Sequence, residues 1–163
     1  MAVKGIYKYE WPRPMVTTDA LVFGFSECGV KVLLVKRGIE PYKDCWAAPG
    51  GFLEMDEDLA VSAARELYEE TGISGIELEE LVTFGTPGRD PRGRVITVAF
   101  WGLCDLEKYI VQTRAGDDAA MAKWFDIDKL EDIDFAFDHK EIVRRGLSLL
   151  KSSAKYIEFL KRK

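Results

Sequence analysis

Cysteine is scarce in this chain, and so is any long apolar run. Three cysteines, at positions 28, 45 and 104, stand far apart in a 163-residue sequence. Their odd number and wide spacing argue against a disulfide framework or a thiolate metal site, and they read as reduced structural thiols. No stretch approaches the ~18–20 consecutive apolar residues of a transmembrane helix. The opening MAVKGIYKYEWPRP lacks the apolar centre of a signal peptide. A cytoplasmic location without membrane attachment is therefore expected. Positive charge is also in the minority, with 23 Lys and Arg against 28 Asp and Glu and a net charge of −5, which weighs against a general nucleic-acid binder. Internal repeats and low-complexity linkers are missing. With 47% hydrophobic and 31% charged residues, the composition is that of a globular chain and not of a disordered one. Its length suits one domain, residues 1–163, with a core over about 14–150.

Glycine and proline are absent from residues 58–71, where Leu59, Ala60, Ala63, Ala64 and Leu67 recur at helical spacing. This predicts an amphipathic helix of about four turns. Asp56, Glu57 and Asp58 place negative charge at its N-terminus, and Gly72 suits a left-handed stop. Glu66, Glu69 and Glu70 stand three and four apart, so they share one side of the helix. Like charges at that spacing cost ~0.2–0.5 kcal/mol per pair. A bound Mg2+ or Mn2+ would remove the repulsion, since hard cations prefer carboxylate and carbonyl oxygens. A bare cluster of this kind is usually a solvated face. Gly50, Gly51, Glu57, Arg65 and Gly72 around it, however, form a long fixed pattern.

Elsewhere, strands are expected over residues 16–25, 31–36, 76–84, 95–104 and 123–126, the second forming a hairpin with the first. A short helix is expected at 128–131 and a C-terminal helix over 140–163. Loops fill 38–49 and 85–94. Strands and helices in mixed order indicate an α+β fold, an α/β sandwich.

Gly51, Glu57, Arg65, Glu66, Leu67, Glu69, Glu70, Gly72 and Ile73 fall in the order G-x5-E-x7-R-E-U-x-E-E-x-G-U, where U is a bulky aliphatic residue. This is the complete signature of the Nudix hydrolases, which the chain resembles without departure at a defining position. The resemblance implies a mixed β-sheet between α-helices, with the signature helix packed on it. It makes Glu66 and Glu70 the leading metal ligands, Glu69 an additional or water-mediated one, and the Gly50 carbonyl a further one. A glycine there allows close backbone approach. Glu57 is expected in an outer, supporting position, and Arg65 as an orienting partner for the carboxylates. The general base of the family often lies outside the signature. Asp117 and Asp118, in the segment RAGDDAA, are the candidates, with Asp118 preferred and Glu69 as the competitor.

Residues 87–94, PGRDPRGR, carry Arg89, Arg92 and Arg94, whose guanidinium forks suit phosphate or carboxylate. Followed by VITVAFWG, this loop is similar to the ADP-ribose pyrophosphatase branch of the family. So are VTTDALVF, VLLVKRG, CWAAPGGF, AGDDAAMAKWF and FAFDHKEI. Ala48 is a small departure, at a place where leucine is usual. The implied reaction is metal-dependent hydrolysis of a small nucleotide, ADP-ribose, to AMP and ribose 5-phosphate. Arg37, Arg89 and Arg92 are the expected phosphate or ribose contacts. Trp46 and Phe52 either face the ligand or belong to the core. His139, the single histidine, is expected to organise the C-terminal helix. Similar hydrolases are often dimers, so a homodimer is expected. Other nucleotides (an oxidised nucleoside triphosphate, a sugar nucleotide, a dinucleotide) are alternative substrates. The same branch includes regulators that sense ADP-ribose and bind DNA through a C-terminal winged helix. About a dozen residues follow the core, too few for such a domain, so an enzyme is expected rather than a sensor.

Overall fold

The computed structural model describes residues 8–109 and 119–161. Its backbone is a sheet organised around two long strands. β1 (Met15–Ser26) and β6 (Val95–Asp105) run parallel, in register from Met15↔Val95 to Phe25↔Asp105. The centre of β1 is a continuous apolar run, and Ala20, Leu21, Val22 and Phe23 are all fully buried. Such a run is expected where both faces of a sheet are covered.

Alternation along the strands sorts these side chains into two layers. Ala20, Val22, Leu33, Val35, Val98 and Phe100 pack with Ala63 and Leu67 of α1 (Leu59–Thr71). Leu21, Phe23, Val32, Leu34 and Trp101 pack with Val143 and Leu150 of α2 (His139–Ser152). The sheet is thus held between helices, the α+β arrangement expected.

A two-residue turn connects β1 to β2 (Gly29–Arg37), and the pair is antiparallel from Ser26↔Gly29 to Phe23↔Val32. Beyond that point the two strands part. β3 (Trp46–Ala47) pairs with β2 at Val35 and Lys36, while β4 (Gly50–Phe52) pairs with β1 at Thr17, Thr18 and Asp19. The segment 46–52 therefore fills the opening between β1 and β2 and delivers Gly50 and Gly51 there. β7 (Ala119–Asp126) lies antiparallel along β2, and β5 (Glu79–Phe84) along β6. A single turn of 3-10 helix, Ile127–Lys129, follows β7.

Several boundaries differ from expectation. β7 begins at Ala119 and not at 123, the short helix expected at 128–131 is the 3-10 turn Ile127–Lys129, and β3 lies within the loop expected over 38–49. Residues 76–78 do not extend β5; Ile76 and Leu78 instead pack against the α1 layer of the core. The C-terminal helix expected over 140–163 is two helices, α2 and α3 (Ala154–Lys161). Ser153 between them is extended, at φ −73° and ψ 142°. Its Oγ accepts the Tyr156 N–H at 3.2 Å, so the side chain caps α3 and ends the continuous helix. Apolar periodicity survives such a break, which is why the pattern alone read as one helix.

The three cysteines are free, and burial pushes the Cys104 thiol up to about 12. Among the described residues no helix is long and apolar enough to cross a membrane.

Candidate active site

Helix α1 is fixed at both ends as its sequence requires. Asp58 caps the N-terminus by accepting the Ala60 N–H, and Gly72, at φ 74°, closes the C-terminus by donating to the Tyr68 carbonyl. Ser62, Ala63, Leu67 and Thr71 form the buried stripe, and Ser62 Oγ accepts a hydrogen bond from Thr18 Oγ1 of β1 at 2.9 Å. Glu66 and Glu70 border this stripe and point towards the sheet. Glu69 lies on the outer side, with 56% of its side chain exposed. The three glutamates share a side of the helix in sequence, but the sheet divides them.

The two inward carboxylates meet β4. The Gly50 N–H donates to Glu70 Oε2 at 3.0 Å. Gly51 lies directly against Glu66, and a side chain at Gly50 would collide with the Thr18 carbonyl and the Asp19 carboxylate. Burial, with Glu66 and Asp19 as like-charged neighbours, pushes the Glu70 carboxyl up to about 8, against the opposing Gly50 N–H and the charge of Arg37. Burial raises Glu66 as well, although Arg65 draws it down. Burial thus disfavours the ionised form of both, and a cation beside them would favour it.

Among the described residues, no three His, Cys, Asp or Glu side chains are gathered into a ready cage. Glu66, Glu70 and the Gly50 main chain nevertheless adjoin. Their oxygen donors and excess negative charge fit a hard divalent cation.

Arg65 organises this face. Its Nε and Nη2 grip Glu57 at 3.0 and 2.6 Å, and its Nη1 reaches Glu66 at 2.7 Å and Glu69 at 3.3 Å. Nη2 also donates to the Phe52 carbonyl at 3.3 Å. All three nitrogens are engaged within the protein, the geometry of an orienting residue. The Arg65 hydrogen bond is the main reason the Glu57 carboxyl falls to about 2, assisted by the Glu54 N–H against the cost of burial. Glu57 therefore sits one step behind the inward carboxylates.

The substrate-side candidates separate into two groups. Arg37, Arg92 and Phe52 come together: the Arg92 guanidinium lies 5.0 Å from the Phe52 ring and 5.2 Å from the Phe137 ring, and Arg37 covers Phe137 at 4.9 Å. Arg92 is also paired with the buried Asp90 at 2.7 Å. Phe137, in the left-handed region at φ 48°, and Tyr42, whose ring is 4.7 Å away, belong to this cluster without having been expected in it.

Arg89 and Trp46 are placed differently. The Arg89 side chain is buried in a two-pronged ion pair with Asp138, which ties the 85–94 loop to the start of α2. Its guanidinium is thereby directed to a protein carboxylate and not outward. Trp46 is half-buried and packs against the α2-side core, edge-on to Phe125 at 4.6 Å. Asp117 and Asp118 lie outside the described residues.

Asp19 is a further residue missed by sequence reasoning. Its Oδ2 accepts from Thr97 Oγ1, and its charge acts on Glu70 and His139. A lone acid within the buried run TTDALVF was the available signal. His139 is buried, its pKa lowered chiefly by that burial, and its Nδ1 accepts the Ala48 N–H at 3.1 Å.

The NUDIX domain family matches residues 14–146, and the chain belongs to that family. It is 38% identical over 132 residues to an ADP-ribose pyrophosphatase from Methanocaldococcus jannaschii, covering 81% of this chain and 72% of that protein. It is 32% identical over 151 residues to the ADPR responsive transcriptional repressor NtrR of Acinetobacter baylyi, covering 91% of this chain but only 59% of the repressor. Among solved structures, the NUDIX domain of Shewanella oneidensis NrtR complexed with ADP ribose superposes with a TM-score of 0.77 at 30% identity, covering 86% of this chain and 90% of that one.

Proposed function

We propose that the chain is a divalent-metal-dependent Nudix pyrophosphohydrolase whose substrate is a nucleoside diphosphate linked to another moiety, ADP-ribose foremost. Water adds across the P–O–P bridge of ADP-ribose, giving AMP and ribose 5-phosphate. The observation that carries the reading is the pair of inward carboxylates, Glu66 and Glu70, held against Gly51 and Gly50 by Arg65 and a main-chain N–H.

Glu66, Glu70 and the Gly50 carbonyl would hold the cation, Mg2+ or Mn2+, with Glu69 as an outer or water-mediated ligand. Such a cation neutralises diphosphate charge and lowers the pKa of a bound water. Arg65 keeps the carboxylates oriented, and Glu57 keeps Arg65 in place. Asp118 or Asp117 takes the proton of the attacking water, with Glu69 as the competing base. Arg37, Arg92 and Phe52 receive the substrate beyond the reacting phosphates, and Phe137 and Tyr42 complete that surface. Arg89 serves the same surface by holding its loop. The chain works as a single-domain homodimer in the cytoplasm, on a small nucleotide and without nucleic acid.

The match to the NtrR repressor and to an NrtR domain with ADP ribose supports a second reading, a domain that senses ADP-ribose without cleaving it. The intact signature favours hydrolysis. The deciding experiment offers ADP-ribose, other nucleoside diphosphate sugars, NADH, dinucleoside polyphosphates and 8-oxo-dGTP with Mg2+ or Mn2+. The highest kcat/KM is expected for ADP-ribose. Preference for a triphosphate overturns the substrate, and tight ADP-ribose binding without turnover establishes the sensor.

A further inference from the structure

Three consecutive residues leading to the inward carboxylates are each tied by one main-chain hydrogen bond to a different element. The Gly50 N–H donates to Glu70 of α1 at 3.0 Å. The Pro49 carbonyl accepts the Ala20 N–H of β1 at 2.7 Å. The Ala48 N–H donates to Nδ1 of His139, the first residue of α2, at 3.1 Å. An imidazole that accepts at Nδ1 is neutral and carries its proton on Nε2.

Ala48 is 2% exposed and His139 5% exposed, so solvent has little access to replace their bond. The histidine is itself anchored to the strand it serves. Trp46 donates to the Asp134 carbonyl at 2.8 Å, Ala136 donates to the Trp46 carbonyl at 2.8 Å, and the His139 N–H donates to the Ala136 carbonyl at 3.1 Å. The imidazole thus reaches back from α2 onto a segment already clamped to its own approach. Pro49, with its fixed φ, leaves little slack between Ala48 and Gly50.

We propose that His139 is a positioning residue of the metal site: through Nδ1 it fixes the 48–50 main chain and, with it, the Gly50 group that meets Glu70. This rests on the metal-site reading above and adds to it a side chain 91 residues from Ala48 in the sequence. Removing the acceptor leaves the Ala48 N–H buried and unpaired, and the turn must shift to find another partner. That shift moves the Gly50 main chain relative to the carboxylates. Groups that orient metal ligands from behind commonly affect affinity about 10–100-fold when removed.

The acceptor can be separated from the bulk of the ring. His139→Asn places a carbonyl oxygen as many bonds from Cα as Nδ1 is, whereas His139→Leu keeps bulk without an acceptor. His139→Gln moves the acceptor one bond further out and serves as the comparison if the leucine variant does not fold. All three lose the ring and its 6.0 Å contact with Phe137, so all three should melt earlier than the wild type.

The test is Mn2+ binding to the metal-free full chain, followed by the electron paramagnetic resonance signal of free Mn2+, with thermal melts on the same samples. H139L and H139Q are expected to bind Mn2+ at least about tenfold more weakly, and H139N to stay within about threefold of the wild type. Wild-type affinity in H139L or H139Q overturns the proposal, and so does an equal loss in all three variants, which would assign the effect to packing of the ring. Absence of Mn2+ binding by the wild-type chain overturns the metal-site reading itself, a result distinct from either of these.

Discussion

Gly51 and the Glu66 carboxylate are in contact: a Cβ built on Gly51 would stand 2.5 Å from Glu66 Oε1 and 2.6 Å from its Cδ. The neighbouring glycine meets a different kind of obstacle, because a Cβ on Gly50 would meet the Thr18 carbonyl and stand 2.9 Å from the Asp19 Cα. The two alanine variants should therefore separate. In Gly51→Ala the end of a flexible side chain moves aside, so stability should change by under ~1 kcal/mol while metal affinity and kcat/KM fall about tenfold or more. In Gly50→Ala main chain has to move, and a loss of ~1–3 kcal/mol is expected. Urea unfolding beside Mg2+ titrations of activity checks both. Equal unfolding midpoints for the two variants would contradict the geometry.

Glu70 makes the metal-free protein sensitive to pH. Its folded pKa, about 8, lies above the ordinary 4.5, so the folded state binds the proton more tightly than the unfolded one. Stability from this group is complete below pH 4.5 and is lost as pH rises towards 8. Glu66 acts in the same direction. His139 acts oppositely, since burial lowers its pKa from 6.5, but its contribution is complete once pH exceeds 6.5. In EDTA, stability should therefore fall by ~1–2 kcal/mol between pH 6.5 and 8. Glu70→Gln should flatten most of that slope, and saturating Mg2+ should stabilise the wild type more at pH 8 than at pH 6.5. A metal-free protein whose stability is level across this window would count against the burial of Glu70.

The proton acceptor for the attacking water is sought among Asp117, Asp118 and Glu69. Arg65 holds Glu69 at 3.3 Å, which directs its carboxyl along the helix surface. Asp118→Asn is expected to lower kcat about 100-fold or more, with metal affinity and melting temperature unchanged. Asp117→Asn should have the smaller effect, and Glu69→Gln should act mainly through metal dependence. Near-full activity in both Asp118→Asn and Asp117→Asn would move the assignment to Glu69.

The helix and its carboxylate face were legible because spacing along one helix is a local property. Asp58, Arg65, Glu66 and Gly72 are positioned by their neighbours within a few turns, so sequence distance converts directly into geometry. The division of Glu66 and Glu70 from Glu69 was legible only through the family resemblance, since spacing alone does not say which side meets β1. The arginines show the same limit more sharply. Arg89 and Arg92 are three positions apart in one loop, yet one is buried on Asp138 and the other lies over Phe52 and Phe137. Asp138 is 49 residues from Arg89, and no pattern within the loop announces that pairing. Asp19 and the imidazole of His139 join the site through strand register and a single long-range hydrogen bond, which are equally non-local.

That contrast between the two arginines gives a prediction in which stability and substrate affinity part company. Arg89 is 6% exposed at its side chain and makes a two-pronged pair with Asp138. Removing one partner of such a buried pair leaves the other charge uncompensated, and Arg89→Met should cost ~3 kcal/mol or more. Adding Asp138→Asn should recover part of the loss, because the stranded carboxylate is then gone, so the double mutant cycle should show strong coupling. Arg92 has a side chain 35% exposed and is partnered by Asp90 only two residues away. Arg92→Lys, which keeps a cation beside the buried Asp90, should therefore change stability by under ~1 kcal/mol, while the KM for ADP-ribose rises about tenfold with loss of the guanidinium fork and kcat changes little, as for a group that binds ground state and transition state alike. If Arg89→Met instead leaves the melting temperature in place and raises KM alone, Arg89 reaches the substrate directly and the ion pair with Asp138 is dispensable.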